Sequence, residues 1–191
     1  NQYSHMLEAI ESNNGIEKGS LKIIPWIENT RAIMNIKDIT GASPRLSAIA
    51  FGAEDYTDDL HIERTDMGKE VYFARSVVAV AGHAAQLPTL DGPYVKFKDP
   101  NGLAEDITTA LQLGYKGKFA IHPSQIEPIN SMFSPQPDAL KYAVRVIKAW
   151  EEAEISGRGS TSLDGRMVDV PVVKRARNLI ATAKQLGIDI S

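Results

Sequence analysis

Leu46-Ser47-Ala48-Ile49-Ala50-Phe51-Gly52-Ala53-Glu54-Asp55 is the stretch on which the reading of the fold turns. Its leading part, Leu46–Gly52, is apolar enough to be buried on both faces, as parallel strands are. Leu21–Ile27 and Lys118–Ile121 follow the same pattern, and Leu90–Phe97 is a more mixed fourth run. Helical patterns lie between them, at Arg31–Ile39, at Lys69–Ala85 and from Asn101 onward. In the last of these Leu103, Ile107, Ala110 and Leu111 form one stripe, with Asp99-Pro100 before it and Gly114 at the expected C-cap. Strands alternating with helices across short connections predict an α/β fold with a parallel sheet.

The last third reads differently. Ser134-Pro135-Gln136-Pro137-Asp138 opens a helix with Leu140, Val144, Ile147 and Trp150 on one face, Ser156-Gly157-Arg158-Gly159-Ser160 forms a flexible loop, and Val170–Leu186 makes a final helix. The expected division is therefore 1–133 as the C-terminal half of a (β/α)₈ barrel and 134–191 as a helical extension with a flexible loop that packs on a neighbouring subunit. Four βα units make half of such a barrel, which takes about 250 residues. A half barrel leaves two open strand edges and an unfilled interior. The expectation is that further strands precede this sequence, which starts at Asn1 rather than Met, or that a partner supplies them.

Composition narrows the function classes. The chain has 191 residues, 43% hydrophobic and 24% charged, with a formal net charge of -3, ordinary for a globular protein of about one domain. This balance argues against a nucleic-acid surface, which needs clustered Lys and Arg; the densest basic group, Lys174, Arg175 and Arg177, reads as a helix face. No run approaches the ~18 apolar residues of a membrane span, and Ser4–Asn14 is too polar for a signal peptide. With no cysteine, disulfides, thiolate metal sites and a Cys nucleophile are excluded. A cytoplasmic location is expected, with the mitochondrial matrix as its counterpart in a eukaryote.

Candidate chemistry collects at strand ends. Leu21–Ile27 runs into Glu28, and Leu46–Gly52 is followed by Glu54-Asp55. Carboxylates at the C-terminal ends of successive parallel strands converge on a barrel mouth, where active sites lie. Two hard oxygen ligands suit Mg²⁺, which keeps waters and takes substrate oxygens. An acid after a strand also serves as a helix N-cap or a solvated loop residue, and spacing alone leaves both readings open.

The surrounding residues resemble a known family. Ile24-Pro25-Trp26-Ile27-Glu28-Asn29-Thr30-Arg31-Ala32 is similar to a strand-end signature of the citrate lyase beta-subunit-like family, within the HpcH/HpaI aldolase/citrate lyase superfamily. Ala50-Phe51-Gly52-Ala53-Glu54-Asp55 resembles its second acidic motif. Asp91-Gly92-Pro93-Tyr94, then Gly117-Lys118-Phe119-Ala120-Ile121-His122-Pro123-Ser124-Gln125, then Ser162-Leu163-Asp164-Gly165-Arg166-Met167-Val168-Asp169, follow in the family's order. The similarity runs from about Leu21 to Leu179. Each motif alone is weak, and five in order are strong.

The resemblance implies a TIM-type barrel and a Mg²⁺-dependent lyase or synthase acting beside a thioester. Glu28 and Asp55 match the family's metal ligands, and Asp169 matches an acid that reaches into a neighbouring subunit's active site. Glu54 would orient water beside the metal. Asp91 either lines the pocket or makes an Asp-Gly turn, and His122 with Pro123 either shapes the loop near the thioester or carries a proton. Lys96, Lys98 and Lys118 meet CoA phosphates or are solvated.

In the implied reaction a 3-hydroxyacyl thioester such as citramalyl-, malyl- or citryl-CoA splits into an acyl-CoA and a keto acid, or forms from them. The metal would bind the keto-acid oxygens, and Asp169 would protonate the enolate. The implied assembly is a trimer or hexamer of one chain with shared sites, with no nucleic-acid or membrane partner. One expected part has no match in Asn1–Ser20: an early-strand arginine that stabilises the enolate oxygen. Alternatives are an acyl-carrier-linked citrate lyase beta subunit, a CoA-independent metal-dependent aldolase, and a non-catalytic paralogue.

Overall fold

A parallel ladder between the first two strands organises the chain, and the residues that build it are those singled out by hydropathy. In the computed structural model, which describes residues 2–190, helix α1 (Gln2–Asn13) leads into β1 (Trp26–Ile27), and two short helices follow, α2 (Thr30–Met34) and α3 (Ile36–Thr40). Then come β2 (Ile49–Phe51), α4 (Ala53–Asp59), α5 (Lys69–Ala84), β3 (Thr89–Asp91), α6 (Pro100–Leu113), β4 (Gly117–Lys118) and α7 (Ile126–Phe133). The strands form one sheet in the order β1-β2-β3-β4, and every pairing is parallel.

The sheet is short-stranded and curled. Trp26 and Phe119, at its two ends, approach with ring centroids 4.6 Å apart. Strands that stand at opposite edges meet across the concave side, as the curvature of a barrel wall requires. On the other side α5 lays Val71, Ala74 and Val78 against β2 and β3, and α6 adds Leu103, Ile107 and Ala110, all buried. Fully burying each of the larger aliphatic chains contributes roughly 1.5–3 kcal/mol.

The register of β1 on β2 shifts once. Ile23 bridges Leu46, whereas Trp26 pairs with Ala50 and Ile27 with Phe51, so β2 carries one extra residue in between. Such a bulge re-aims the side chains beyond it, here Ala50, Phe51 and the acids that follow. Pro25 has no N–H to give, and its carbonyl accepts from the Ala50 amide at 2.9 Å.

The α6 helix keeps its expected signals. Asp99 Oδ1 accepts from the Gly102 amide at 3.0 Å, Pro100 occupies the first turn, and Gly114 closes the helix at φ 97°, a left-handed value that a side chain disfavours. Other expectations change. The run Leu90–Phe97 is strand only to Asp91, because Gly92-Pro93 turns the chain toward α6. Arg31–Ile39 is two helices broken at Asn35, whose side-chain amide donates to the Arg31 carbonyl at 2.8 Å, the local competition that weakens Asn inside helices.

The polar segment Ser4–Asn14 lies largely in α1. Its Glu11 is buried, accepting from the Gly19 and Leu21 amides at 2.9 Å each and from Arg45 at 2.7 and 2.8 Å. Arg45 also donates to the Leu21 carbonyl at 3.0 Å, so this bidentate pair clamps the N-terminal ends of the β1 and β2 segments together.

The chain divides between Asn130 and Ser131, within α7. The second unit holds α8 (Pro137–Ile155), the hairpin β5 (Thr161–Leu163) and β6 (Arg166–Val168), and α9 (Val170–Gln185). Its core is Ala143, Val146, Trp150, Val168, Val173 and Ala176. The hairpin turns on Asp164 and Gly165, at φ 51° and 73°, the positive pair that an Asp-Gly turn accommodates. Among the described residues no helix is long and apolar enough to cross a membrane.

The Arg45 hydrogen bonds hold the Glu11 carboxyl at about 2, down from its ordinary 4.5. A depressed carboxylate stabilises the fold above the unfolded-state value and loses that contribution as pH falls toward the folded one. Thermal melts of wild type and Glu11→Gln should therefore differ most above about pH 4.5 and converge by about pH 2. A constant gap across that window would contradict the role given to this pair.

Candidate active site

Two strand ends place two acids together. Glu28 follows β1, and the cap of the next helix is Asn29, whose Oδ1 accepts from the Ala32 amide at 2.8 Å. Asp55 lies in the first turn of α4, whose N-cap position is Gly52. Neither acid is an N-cap. The β1–β2 register sets Ile27 beside Phe51, and the Gly52 amide donates to the Ile27 carbonyl at 3.1 Å. The residues immediately beyond, Glu28 and the Gly52-Ala53-Glu54-Asp55 turn, start from the same level of the sheet.

Gly52 makes the space. A Cβ there would stand 2.6 Å from Glu28 Cβ and 2.7 Å from its Oε2, so any side chain would displace the carboxylate. Glu28 is partly buried, and desolvation pushes its carboxyl above the ordinary value. The neighbouring Asp55 charge, and a hydrogen bond between the two carboxyls, raise it further. No ion pair among the described residues includes Glu28 or Asp55. Two carboxyls in contact without a cationic side chain favour a shared proton or a hard divalent cation. Among the described residues no three His, Asp or Glu gather as a metal cluster. A cation here would take two protein carboxylates and fill its remaining positions with water and ligand oxygens, the donor set Mg²⁺ accepts.

The other sequence candidates have different surroundings. Glu54 is exposed and faces Arg64, with 3.6 Å between its Oε1 and the guanidinium Nε. It borders a cleft of ≈ 440 Å³ together with Arg64, Tyr94 and Lys96, a cleft that Glu28 and Asp55 do not line. His122 caps the short 3₁₀ turn Pro123–Gln125, its Nδ1 accepting from the Ser124 amide at 3.2 Å, and stacks on Phe97 at 4.8 Å. Asp169 lies in the second unit as the N-cap of α9, with Oδ1 accepting from the Val172 amide at 3.2 Å.

Asp91 and Lys118 meet in a cluster of ion pairs. Asp91 is 2% exposed, and its carboxylate accepts from Arg75 at 2.9 and 2.6 Å and from Lys118 at 2.6 Å. Lys118, its side chain 1% exposed, also pairs with Asp106, which Arg75 NH1 meets at 2.9 Å. Burial alone would push the Asp106 carboxyl up, but Lys118 and Arg75 hold it below its ordinary value. These four charges form one ion-pair cluster, with Lys118 paired to both acids. Lys96 is taken by Asp66 at 2.5 Å. The sequence held one signal for the cluster: Arg75 and Asp106 interrupt the buried stripes Val71-Ala74-Val78 and Leu103-Ile107-Ala110.

With the geometry in place, the relatives are informative. Residues 1–123 match the HpcH/HpaI aldolase/citrate lyase family, and the chain belongs to it. It is 38% identical to citrate lyase subunit beta of Haemophilus influenzae over 94% of this chain and 62% of that protein. It is 28% identical to the mitochondrial citramalyl-CoA lyase of Rattus norvegicus over 87% of this chain and 52% of that enzyme. The solved CitE protein of Mycobacterium tuberculosis, in complex with magnesium, acetoacetate and coenzyme A, is 28% identical and superposes with a TM-score of 0.73, covering 85% of this chain and 61% of that one. The α/β architecture is thus that of the TIM-barrel-like citrate lyase beta proteins, and the chain spans about 60% of the length of the curated relatives it matches.

Removing the Asp55 charge tests the contact. In Asp55→Asn the Glu28 carboxyl should move down toward its ordinary 4.5, the part due to burial remaining. Carboxyl ¹³C titration reads this, and an unmoved Glu28 would show that the two groups do not interact.

Proposed function

We propose that the whole protein is a carbon–carbon lyase that cleaves a 3-hydroxyacyl thioester, of the citramalyl-, malyl- or citryl-CoA type, to an acyl-CoA and a keto acid, or runs the reverse condensation. The observation that carries this reading is the Glu28–Asp55 contact beside Gly52, two acids brought together at strand ends with no cation of the protein's own. Its family membership and relatives named as lyases support the same class of chemistry.

Glu28 and Asp55 would hold Mg²⁺, which when bound supplies Lewis-acid polarisation and a template for the keto-acid oxygens. Glu28 is partly buried and Asp55 is exposed, so the pair is open to solvent and ligand on the Asp55 side. In the cleavage direction the substrate hydroxyl gives its proton to water, the bond between the hydroxyl-bearing carbon and the thioester α-carbon breaks, and the electron pair passes to the thioester as an enolate. Asp169 would then return a proton to that α-carbon, giving the acyl thioester. One of its oxygens is held by the Val172 amide, which fixes the carboxyl and leaves Oδ2 to carry the proton. The Ser156–Ser160 loop and the β5–β6 hairpin precede it. That placement fits an acid presented by an extension to a neighbouring subunit's barrel, in an assembly of identical chains.

A second reading is the acyl-carrier-linked citrate lyase beta subunit. It is favoured by the higher identity to citrate lyase subunit beta, 38%, than to citramalyl-CoA lyase, 28%.

Turnover of full-length protein on a panel of 3-hydroxyacyl-CoAs and the matching carrier-bound thioesters, with Mg²⁺ or with EDTA, tests both readings. EDTA should abolish activity, and Asp55→Ala should lower it about 10²–10³-fold through the several kcal/mol a metal contributes. Asp169→Ala should lower it about 10²–10⁴-fold, the range of a lost general acid. Full activity in EDTA or in Asp169→Ala would contradict the respective role, and turnover of carrier-bound substrates alone would select the second reading.

A further inference from the structure

The cluster of Arg75, Asp91, Asp106 and Lys118 has no ion pair with Glu28 or Asp55, yet it lies one contact away from the turn that carries Asp55. Asp91 on β3, Lys118 on β4, Arg75 on α5 and the partly exposed Asp106 on α6 are a weak source of stability, because desolvation of such charges offsets most of their attraction, and an apolar set of the same volume is often as stable. What such a cluster supplies is a fixed geometry. Arg75 grips Asp91 through two parallel hydrogen bonds and also donates to the Asp106 carbonyl at 3.1 Å. Tyr115, fully buried, donates to the Arg75 carbonyl at 2.8 Å from the far side. Lys118 bridges Asp91 and Asp106, and its remaining hydrogen bond leaves the cluster: Nζ donates to the Gly92 carbonyl at 2.7 Å.

Gly92 is where the cluster meets the acid site. A Cβ at Gly92 would stand 2.7 Å from the Phe51 carbonyl oxygen and 3.9 Å from the Ala53 nitrogen. The backbone of residue 92 is therefore pressed against the end of β2, on either side of Gly52. Gly52 in turn presses on Glu28 and opens the turn bearing Asp55. The chain of contact is Lys118 to the Gly92 carbonyl, Gly92 to Phe51 and Ala53, and Gly52 to Glu28. It is short, made of backbone and small residues, and has little slack.

We propose that Lys118 is a positioning residue for the Glu28–Asp55 pair: through the Gly92 carbonyl it seats the β3–α6 turn against the end of β2 and so sets the spacing of the two carboxyls. The cation-binding side of this inference rests on the function proposed above, and the positioning side does not. Groups that orient metal ligands without touching the metal change affinity about 10–100-fold when removed.

The test uses full-length protein and two readouts. Lys118→Met alone leaves buried acids unpaired and risks unfolding, so it is combined with Asp106→Asn; Gly92→Ala is a second variant that keeps all four charges and perturbs only the contact with Phe51. Tyr115→Phe is the control, since it loosens Arg75 without reaching Gly92. Hydrogen exchange without metal reads the Gly52 amide, which is bonded to the Ile27 carbonyl, and Mn²⁺ binding followed by electron paramagnetic resonance reads the acid pair. Both test variants should exchange faster at residues 52–55 and bind Mn²⁺ about 10-fold or more weakly, whereas Tyr115→Phe should lower the melting temperature with neither effect. If a folded test variant keeps wild-type exchange at 52–55 and wild-type Mn²⁺ affinity, the positioning role is wrong. If wild type binds no Mn²⁺ while exchange at 52–55 still responds, the positioning role stands and the metal reading falls.

Discussion

The parallel pairing of β1 with β2 is the constraint on which the rest of the first unit depends. It is fastened at one end by the buried Glu11–Arg45 pair and opens at the other into Glu28 and the Gly52–Asp55 turn. A one-residue bulge between the Ile23–Leu46 and Trp26–Ala50 pairings decides which side chains follow the last ladder bond. Without that extra residue Ala50 and Phe51 would exchange faces, and the acid turn would leave from the wrong side of the sheet. Two like charges then meet where the fold supplies no counter-charge. The raised Glu28 carboxyl is the physical mark of that arrangement.

Opposite electrostatic solutions sit at successive strand ends. At β1 and β2 two acids are left without cations, partly wet, and free to accept one from outside. Around β3 and β4 two acids are matched by two bases, largely buried apart from the rim of Asp106. The first arrangement is unstable by itself and suited to binding. The second is satisfied and suited to holding a turn in place. Gly92 and Gly52 are the points at which the ion-pair cluster and the open pair touch through backbone.

Much of this was legible in the sequence, and the reasons for the remainder are physical. Apolar runs at Leu21–Ile27 and Leu46–Gly52 located β1 and β2 because buried parallel strands need such residues on both faces. The α6 boundaries were readable since Asp99, Pro100 and Gly114 act locally. Glu28 and Asp55 were visible as acids after strands, but their contact was not, because it depends on a bulge and on the absent side chain of Gly52. Asp91 and Lys118 looked like open strand-end residues; their burial comes from Arg75 and Asp106, which lie on helices distant in sequence. The Asp164-Gly165 hairpin carried a local signal that reading 134–191 as helices joined by a flexible loop passed over. Helix α1 gave little apolar signal because its anchor is a buried carboxylate rather than an apolar stripe.

In the proposed metal site Glu28 and Asp55 would share one divalent cation. Anomalous scattering from crystals of the protein soaked in Mn²⁺ tests it most directly. A single strong peak is expected within bonding distance of one oxygen from each carboxylate. A peak on only one of them, or manganese bound elsewhere while the two carboxyls stay in contact, would contradict it.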